Sequence, residues 1–380
     1  MQLTVIILNY NVRYFLEQCV LSVQKALESI DGEIIVVDNN SSDDSCVMMK
    51  QRFPNIKLIE NAANLGFPKG NNIAVAEAKG EYICILNPDT VVAEDTFTKI
   101  LAFAEKQTNL GIVGCKLIDG TGKFLPESKR GIPTPWVAFT KIFGLYKIAK
   151  VFGKYYASHL SENQTGKVEI LVGAFMVMKR NLYNEIGGFD ENCFMYSDDI
   201  DLSYRFLLKG KHNYYFHETT VIHYKGESTV KDEIYLKHFR EFMNFFYQKH
   251  FKPSLFFAFF MKIGVVYFSL VKMFQGKPKE KLIPESYVLI SESNDKSDLL
   301  NLLQNTLKSK IEVANEVNTK NKRRVELIID LNSVSFKKAI EFLESNRNYN
   351  YTFKIVPPNC NFIIGSNSSN DRGEVIILNK

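Results

Sequence analysis

The sequence predicts an α/β protein with a doubly wound, mainly parallel sheet and helices on both faces. Three observations support this class: short apolar segments alternate with helical patterns, these segments are almost uninterrupted, and polar residues follow them directly. Strands that are apolar throughout are typical of parallel sheets, because helices cover such sheets on both sides. The segment Leu3–Leu8, followed by Asn9, is the first example.

The first elements can be assigned in order from apolar runs and from the 3.6-residue helical period. The predicted order is strand Leu3–Leu8, helix Phe15–Ile30, strand Glu33–Val37, helix Asp43–Phe53, strand Ile56–Glu60, a helix that opens in the glycine-rich stretch Asn64–Asn72 and ends near Ala78, strand Glu81–Leu86 and strand Gly111–Lys116.

The stretch Phe124–Gly166 interrupts this alternation, because it is irregular and rich in aromatic residues. A loop of this length within a compact domain indicates a mobile lid or an acceptor-binding loop. Order is expected to return at Val168–Lys179, followed by a helix at Asn181–Ile186, a helix from Asp198 to about Lys209, and strands at Asn213–His217 and Val221–Tyr224.

Composition divides the chain into a large α/β domain at 1–230, a helical segment at 231–282 and a small α/β unit at 283–380. Ser254–Phe274 is an apolar helical pattern with a narrow polar stripe, typical of a helix lying in the plane of a membrane surface. The alternative is a helix buried against the first domain. In the last unit, strands are predicted at Tyr287–Ile290, Val325–Leu331, Phe353–Val356 and Val375–Leu378, a helix at Val334–Ser345, and either a polar loop or a phosphate-binding turn at Ile363–Ser369.

The overall composition excludes several classes of protein. A net charge of +5 over 380 residues gives no indication of nucleic-acid binding. The six cysteines form no CxxC pair, so buried free thiols in a reducing cytoplasm are expected rather than disulfides or a zinc site. Met1–Asn9 enters a strand at once and has no basic leader, so export is not expected.

Ligands of open parallel sheets bind beyond the carboxyl ends of the strands. Asn87-Pro88-Asp89 follows one such strand. The Asp89 carboxylate there can hold Mg²⁺ or Mn²⁺ against a diphosphate. A proline turn with a capping aspartate is the alternative explanation of the same residues.

The cluster Asp198-Asp199-Ile200-Asp201 is harder to explain as structure alone. Acids at a helix start are stabilised by the helix dipole, but three of them in four residues repel one another. Such crowding raises one pKa and leaves another group ionised, which suits a general base.

Two further residues, Asp38 and His223, can each be explained as functional or as purely structural. Asp38 follows a buried strand, as does the acid that contacts the ribose in nucleotide-binding folds, but it can also cap the next helix. His223 ends an apolar strand, where a lone histidine is more often a packed residue than a metal ligand.

Together these motifs resemble glycosyltransferase family 2, in particular the bacterial rhamnosyltransferase-like enzymes of cell-surface polysaccharide synthesis. The resemblance covers residues 1 to about 230. It rests on the ordered stretches Val5–Asn11, Ile35–Asp43, Asn64–Asn72, Leu86–Thr90, Gly173–Met176, Gly187–Glu191, Asp198–Leu202 and His223.

The resemblance implies a GT-A fold and an inverting single displacement that uses Mn²⁺ or Mg²⁺. It assigns Asp199 as catalytic base with Asp198 beside it, and Asp89 and His223 as metal ligands. The nucleotide-sugar pocket is expected at Asn9, Asp38, Asn64, Gly66, Asn71 and Asn87. The family's DxD element reads Asn87-Pro88-Asp89 here, which leaves one carboxylate for the metal, and the acid before the base is Asp198 where many relatives have glutamate.

The resemblance also implies the partners and location of the protein. The expected donor is dTDP-rhamnose or a UDP-sugar, the acceptor a saccharide or lipid-linked saccharide, and the location the cytoplasmic face of the plasma membrane. A nicotinamide oxidoreductase would need GxGxxG after the first strand, where this chain has Asn9-Tyr10-Asn11. A nucleotidyltransferase would need a glycine-rich basic loop. A catalytically impaired scaffold subunit is the remaining alternative, against which Asp38, Asp89 and Asp199 argue.

Overall fold

The computed structural model describes residues 1–134, 137, 155–192, 197–225, 245–251, 284–314, 324–367 and 373–378. Within these ranges the chain forms two sheets, one in its first part and one in its last part. Helices cover the strands of both, so the predicted mixed α/β class is confirmed.

The first sheet is mixed, and its order is β3-β2-β1-β4-β8-β6-β9-β5 with β7 paired to β9. Strands β3, β2, β1 and β4 are parallel, whereas β8 runs antiparallel between β4 and β6. The strands are β1 (Leu3–Asn9), β2 (Gly32–Asp38), β3 (Lys57–Glu60), β4 (Tyr82–Leu86), β5 (Thr90–Val91), β6 (Leu110–Ile118), β7 (Gly166–Val168), β8 (Phe175–Lys179) and β9 (His212–His223).

Helices pack on both faces of this sheet. They are α1 (Arg13–Leu27), α2 (Ser45–Arg52), α3 (Gly66–Glu77), α4 (Thr96–Glu105), α5 (Arg180–Glu185) and α6 (Asp198–Leu208). Val5 and Ile7 of β1 join the core under α1, α2 and α4, whereas Ile6 and Leu8 join the core under α3, α5 and α6. A strand buried on both faces must be apolar at successive positions, which explains the uninterrupted apolar run.

The structure contains α4, β5 and β7, which the sequence pattern did not predict, and it also differs from the predicted elements at β9. The two strands predicted at Asn213–His217 and Val221–Tyr224 are one long strand, whose register against β6 shifts between Cys115 and Lys116. Such an irregularity bends a strand without ending it. The polar residues His217–Thr220 therefore lie within a strand rather than in a turn.

The second sheet has the order β11-β10-β12-β13-β14-β15. Its elements are β10 (Ser286–Ile290), α7 (Ser297–Leu307), β11 (Ile311–Ala314), β12 (Val325–Asp330), α8 (Phe336–Asn346), β13 (Tyr351–Val356), β14 (Phe362–Gly365) and β15 (Glu374–Ile377). β10 to β13 are parallel, and β14 and β15 are antiparallel additions. The sequence analysis had not predicted α7, β11 or β14.

The two sheets share a hydrophobic core. Val91 and Ile222 of the first sheet lie in one buried cluster with Leu327 and Ile329 of β12. At its margin the Glu94 carboxylate accepts hydrogen bonds from the backbone N–H groups of Phe336 and Lys337, at 2.7 and 2.8 Å. The last part of the chain is therefore packed onto the first sheet beside the β5–β9 pair.

Several expectations concern residues outside the described ranges. The amphipathic segment 254–274 lies there, as do most residues of 231–282. None of the helices in the ranges above is long and apolar enough to cross a membrane. The cysteines at positions 19, 46, 84, 115 and 360 are free thiols, as expected.

Candidate active site

The carboxyl ends of β1 and β2 bring Asn9 and Asp38 into contact. The Asn9 side-chain amide donates to Asp38 Oδ1 at 2.7 Å, and the Ser41 hydroxyl donates to the same oxygen at 2.6 Å. The Ser41 backbone N–H donates to Asp38 Oδ2 at 2.8 Å. Both Asn9 and Asp38 are buried, so this network fixes the shape of the sheet's ligand edge.

The glycine-rich stretch forms the start of α3 beside this network. Gly66 has a φ of +81°, a conformation that favours glycine, and its N–H donates to Asn64 Oδ1 at 3.0 Å. The Asn39 amide donates to the Gly66 carbonyl at 3.1 Å and so ties the end of β2 to the start of α3. One turn later the buried Asn71 donates to the Phe67 carbonyl at 2.8 Å.

Asp89 and His223 face each other across the β5–β9 pair. His223 Nε2 lies 3.4 Å from Asp89 Oδ1 and 3.4 Å from the Asn87 side-chain nitrogen. Both Asp89 and His223 are buried, and β5 pairs with β9 at Thr90 and His223. The structure thus brings together two residues that are 134 positions apart.

The aspartates of the acidic cluster at the start of α6 have different surroundings. Asp199 Oδ2 accepts hydrogen bonds from the Arg130 guanidinium at 2.6 Å and from the Gly173 backbone N–H at 3.0 Å. Asp201 is fully buried and accepts from Arg205, Lys249 and His250. Asp201 therefore holds the helical residues 245–250 against α6.

Asp198 and Asp201 differ in their protonation. Burial, and then the adjacent Asp199 carboxylate, raise the pKa of Asp198 from 3.8 to about 7. The pKa of Asp201 is lowered instead: burial alone would raise it, but Arg205 and then Lys249 and His250 outweigh that effect.

The backbone around Gly173 connects these parts into one site. A Cβ atom at Gly173 would lie 3.4 Å from Cβ of Asp199 and 3.6 Å from Cζ of Phe67 on α3. The next residue, Ala174, accepts a hydrogen bond from the Asn87 backbone N–H at 3.0 Å. Gly173 therefore lies next to Asp199, and its neighbour Ala174 contacts the Asn87–Asp89 turn. Asp199 and this turn are thus at the same edge of the sheet.

Several unsatisfied polar atoms lie in this region. Four buried atoms of predicted site residues have no hydrogen-bond partner among the residues that the structure describes: Asn9 Oδ1, Asn71 Oδ1, Asp199 Oδ1 and His223 Nδ1. Buried polar atoms are normally paired, and each exception calls for an explanation. A polar ligand at this edge would supply the missing partners.

The model of the family described as Glycosyl transferase family 2 matches residues 4–187, a range that begins in β1 and ends after α5. Residues 4–187 form a glycosyltransferase family 2 domain. The family model thus includes Asn9, Asp38, Asp89 and Gly173 and stops before the acidic cluster.

Individual relatives are also similar to this chain. N-acetylglucosaminyl-diphospho-decaprenol L-rhamnosyltransferase of Mycobacterium tuberculosis is 26% identical over 241 residues, 60% of this chain and 78% of that protein. Rhamnosyltransferase WbbL of Escherichia coli is 28% identical over 220 residues, 53% of this chain and 78% of its own. The solved mannosyltransferase PcManGT of Pyrobaculum calidifontis is 17% identical, with a TM-score of 0.46 over 73% of this chain and 76% of its own.

The residues that the structure describes provide only part of a metal-binding site. In the described part of the chain no group of three His, Cys, Asp or Glu side chains could enclose a metal ion. The Asp89–His223 pair can supply one carboxylate oxygen and one imidazole nitrogen. Mg²⁺ is commonly held by one or two carboxylates together with substrate phosphates, so this pair fits a cation that arrives with or is completed by a diphosphate.

Arg130 is the main site residue that the sequence analysis missed. Its guanidinium is buried, contacts Asp199 and donates to the Leu171 carbonyl at 2.9 Å. Arg130 belongs to the stretch Phe124–Gly166, where no periodic pattern marks individual residues. A backbone bridge to Ile170 places it beside the segment that connects β7 to β8, and no sequence signal reveals that pairing.

Proposed function

We propose that the protein transfers a sugar, with inversion, from a nucleotide-sugar donor to a hydroxyl group of a saccharide acceptor in cell-surface glycan synthesis. The names of the mycobacterial and E. coli relatives, both rhamnosyltransferases, support dTDP-rhamnose as the first donor to test. UDP-sugars are the second choice. The mycobacterial name also supports a lipid-linked saccharide acceptor.

The observation that carries this proposal is the environment of Asp199. One carboxylate oxygen is held by Arg130 and Gly173, while Oδ1 is buried and unpaired within the described residues. Such a carboxylate is fixed in orientation and keeps one oxygen for a substrate proton. A purely structural aspartate, such as Asp201, has its oxygens occupied by cations.

In the proposed reaction, Asp199 Oδ1 accepts the proton of the acceptor hydroxyl as the hydroxyl oxygen attacks the anomeric carbon. The new carbon–oxygen bond forms on the face opposite the leaving group, and the bond from the anomeric carbon to the diphosphate breaks. The nucleoside diphosphate leaves with the bonding electron pair. Arg130 keeps Asp199 oriented throughout, because its guanidinium is itself fixed by the Leu171 carbonyl.

The remaining residues bind and orient the donor. Asn9 and Asp38, at the ends of adjacent parallel strands, would contact the nucleoside, and Asn64, Gly66 and Asn71 the sugar-phosphate part. Asp89 and His223 would hold Mn²⁺ or Mg²⁺, with Asn87 beside them. When bound, the cation would neutralise negative charge on the leaving diphosphate.

The location and the domain limits complete the proposal. We place the transferase domain at 1–230, a membrane-contacting segment at 231–282 and the small α/β unit at 283–380, at the cytoplasmic face of the membrane. An impaired scaffold subunit is the alternative. Turnover of a sugar nucleotide into a glycosidic product by the purified full chain would exclude it.

Asp199→Asn tests the assignment of the base. Turnover should fall by about 10² or more while donor binding is preserved, because the amide cannot accept the proton. The variant leaves Arg130 without its carboxylate and should lose stability. Turnover is therefore measured per folded molecule, and donor binding is measured by thermal shift on the same preparation.

Asp201→Asn is the matched control on the same helix. It should lower the unfolding temperature because it breaks a buried network, yet leave turnover per folded molecule near that of the wild type. Near-normal turnover in Asp199→Asn, or equal losses in both variants, would remove Asp199 from the role of base.

Chelation tests the metal. Activity should disappear in EDTA and return when Mn²⁺ or Mg²⁺ is added in excess. His223→Asn should raise the metal concentration needed for half-maximal activity, because one of the two protein ligands is replaced. Full activity in chelator would mean that the Asp89–His223 pair serves only packing.

A further inference from the structure

A second cavity lies at the carboxyl edge of the second sheet, away from the candidate active site. Its volume is about 630 Å³, which is within the range of small-molecule sites. Its walls include the Ser293–Leu302 region, the loop around Cys360, the end of β12 at Asp330, and Arg13 and Arg52 of the first domain. No residue of the predicted donor site lines it.

The strand order places this cavity where such sheets bind ligands. The chain leaves β10 toward β11 on one side and then crosses to β12 on the other side of β10. The connections therefore diverge between β10 and β12, which opens a crevice at their carboxyl ends. The β10–α7 loop and Asp330, the last residue of β12, lie at this point and line the cavity.

The position of Lys296 does not stabilise the fold. It is the residue that precedes α7, where the helix dipole disfavours a positive charge. Its ammonium makes only a long contact, 3.5 Å, to the Ser291 carbonyl, and no carboxylate pairs with it among the described residues. A bound anion between the lysine ammonium and the helix N-terminus would offset the repulsion between them.

Two arginines lie on the opposite wall. Glu17 is fully buried and is shared by Arg13 and Arg52, and Arg13 Nε also lies 3.3 Å from Asp44 Oδ2. Arg52 reaches across to the second sheet, where it donates to the Asn359 carbonyl at 3.1 Å. The cavity thus has positive groups on both sides, and these contacts hold the two guanidinium groups in place.

The rest of the lining suits a nucleoside. Leu299, Leu302 and Val356 form an apolar surface, while Asp298 presents a carboxylate that can accept hydrogen bonds from hydroxyl groups. Asp330 accepts hydrogen bonds from Ser291, Ser333 and Asn332. It fixes the β10–α7 and β12–α8 loops that form the crevice.

We propose that this cavity is a second ligand site, which binds a phosphate ester of the nucleotide class. The phosphate lies between Lys296, the start of α7 and Arg52, and the nucleoside lies on Leu299, Leu302 and Val356. The site does not depend on the assignment of the catalytic residues. It does lie close to the donor site along the chain, because α1 begins at Arg13, four residues after Asn9.

The stretch Ile363–Ser369, whose sequence suggested a phosphate loop, is described as far as Asn367, and Ile363–Gly365 belongs to β14. β14 runs antiparallel to β13, with Ile364 opposite Ile355, so the chain after Gly365 leads away from the carboxyl edge of the parallel strands. A Cβ atom at Gly120 would lie 2.5 Å from the Ser366 carbonyl oxygen, which indicates close packing onto the first domain.

Equilibrium dialysis of the full chain with radiolabelled dTDP and UDP tests the proposal. For at least one nucleotide, the wild type should bind two equivalents per chain. Lys296→Ala should weaken one of them at least about tenfold, because it removes a charged hydrogen bond to phosphate. Lys310→Ala is the matched control, an exposed lysine at the amino edge of the same sheet, and should bind as the wild type does.

Asp38→Ala separates this proposal from that of the donor site. This variant should weaken binding of the nucleotide equivalent that does not depend on Lys296. Binding of the Lys296-dependent equivalent should not change. Displacement of the Lys296-dependent equivalent by glucose 1-phosphate as readily as by UDP would assign a phosphorylated sugar instead of a nucleotide. No more than one equivalent of either nucleotide in the wild type, or two equivalents insensitive to Lys296→Ala, would overturn the second site.

Discussion

At the scale of single residues, the three aspartates at the start of α6 lie in different environments because they have different partners. Arg130 and Gly173 contact Asp199, whereas Arg205, Lys249 and His250 contact Asp201. The sequence could identify the cluster, since three acids in four residues are unusual. The sequence could not show which aspartate contacts which partner, because the partners come from distant segments of the chain.

Asp198 makes stability depend on pH. Its pKa is raised from 3.8 to about 7, so between these values the folded state keeps a proton that the unfolded state has lost. Stability should therefore fall as pH rises from about 4 to about 7 and stay low above that range. Asp198→Asn removes this penalty and should raise the free energy of unfolding at pH 8 by about 2–4 kcal/mol, at about 1.4 kcal/mol per pKa unit.

Urea unfolding at pH 5 and pH 8 measures this effect. The stabilisation by Asp198→Asn should be larger at pH 8 than at pH 5. Asp201→Asn should destabilise at both pH values, because the pKa of Asp201 is lowered by its cationic partners. A stability difference between Asp198→Asn and wild type that does not change with pH would mean that Asp198 is ionised throughout.

At the scale of elements, the sequence predicted the first domain well for a physical reason. Strands such as β1 are buried on both faces, so their residues must be apolar, and the site residues must follow at the carboxyl ends. The same reasoning missed β11 and α7. Glu312 and Val313 of β11 are exposed, and α7 buries only Leu303 fully, so neither shows a complete buried face in its sequence.

Helix α8 depends on a residue from the other domain for its start. Glu94 accepts hydrogen bonds from the N–H groups of Phe336 and Lys337, and Ser335 accepts from Lys338. Glu94→Ala should lower the free energy of unfolding by about 1–2 kcal/mol, since it removes a charged cap at a helix N-terminus. Urea unfolding checks this, with Glu341→Ala on the exposed side of α8 as control. Equal losses in both variants would contradict the capping role.

At the scale of the whole molecule, the second sheet supports the strands that carry the proposed metal ligands. Val91 and Ile222 pair with each other across β5 and β9, next to the Thr90–His223 pair, and both are buried against β12. A sequence cannot reveal this contact, because both surfaces are apolar and nothing local specifies which apolar faces meet. The structure thus makes the small α/β unit part of the core under the active site.

Two neighbouring residues of β12 allow a test of that support. Leu327 and Ile328 are both fully buried, but Leu327 faces the shared core with Val91 and Ile222, whereas Ile328 faces the core under α7. Truncation of either to alanine should cost about 2–5 kcal/mol of stability. Only Leu327→Ala should also change catalysis, because the cavity it leaves lies beneath the β5–β9 pair.

The decisive measurement is the metal concentration for half-maximal activity, taken at a temperature where both variants are folded. It should rise in Leu327→Ala, because Asp89 and His223 are less firmly held, and stay near the wild-type value in Ile328→Ala. The unfolding free energies of the two variants show whether their stability losses are comparable. If both variants shift the metal dependence equally, general destabilisation accounts for it. If neither shifts it, the second sheet stabilises the fold without positioning the Asp89–His223 pair.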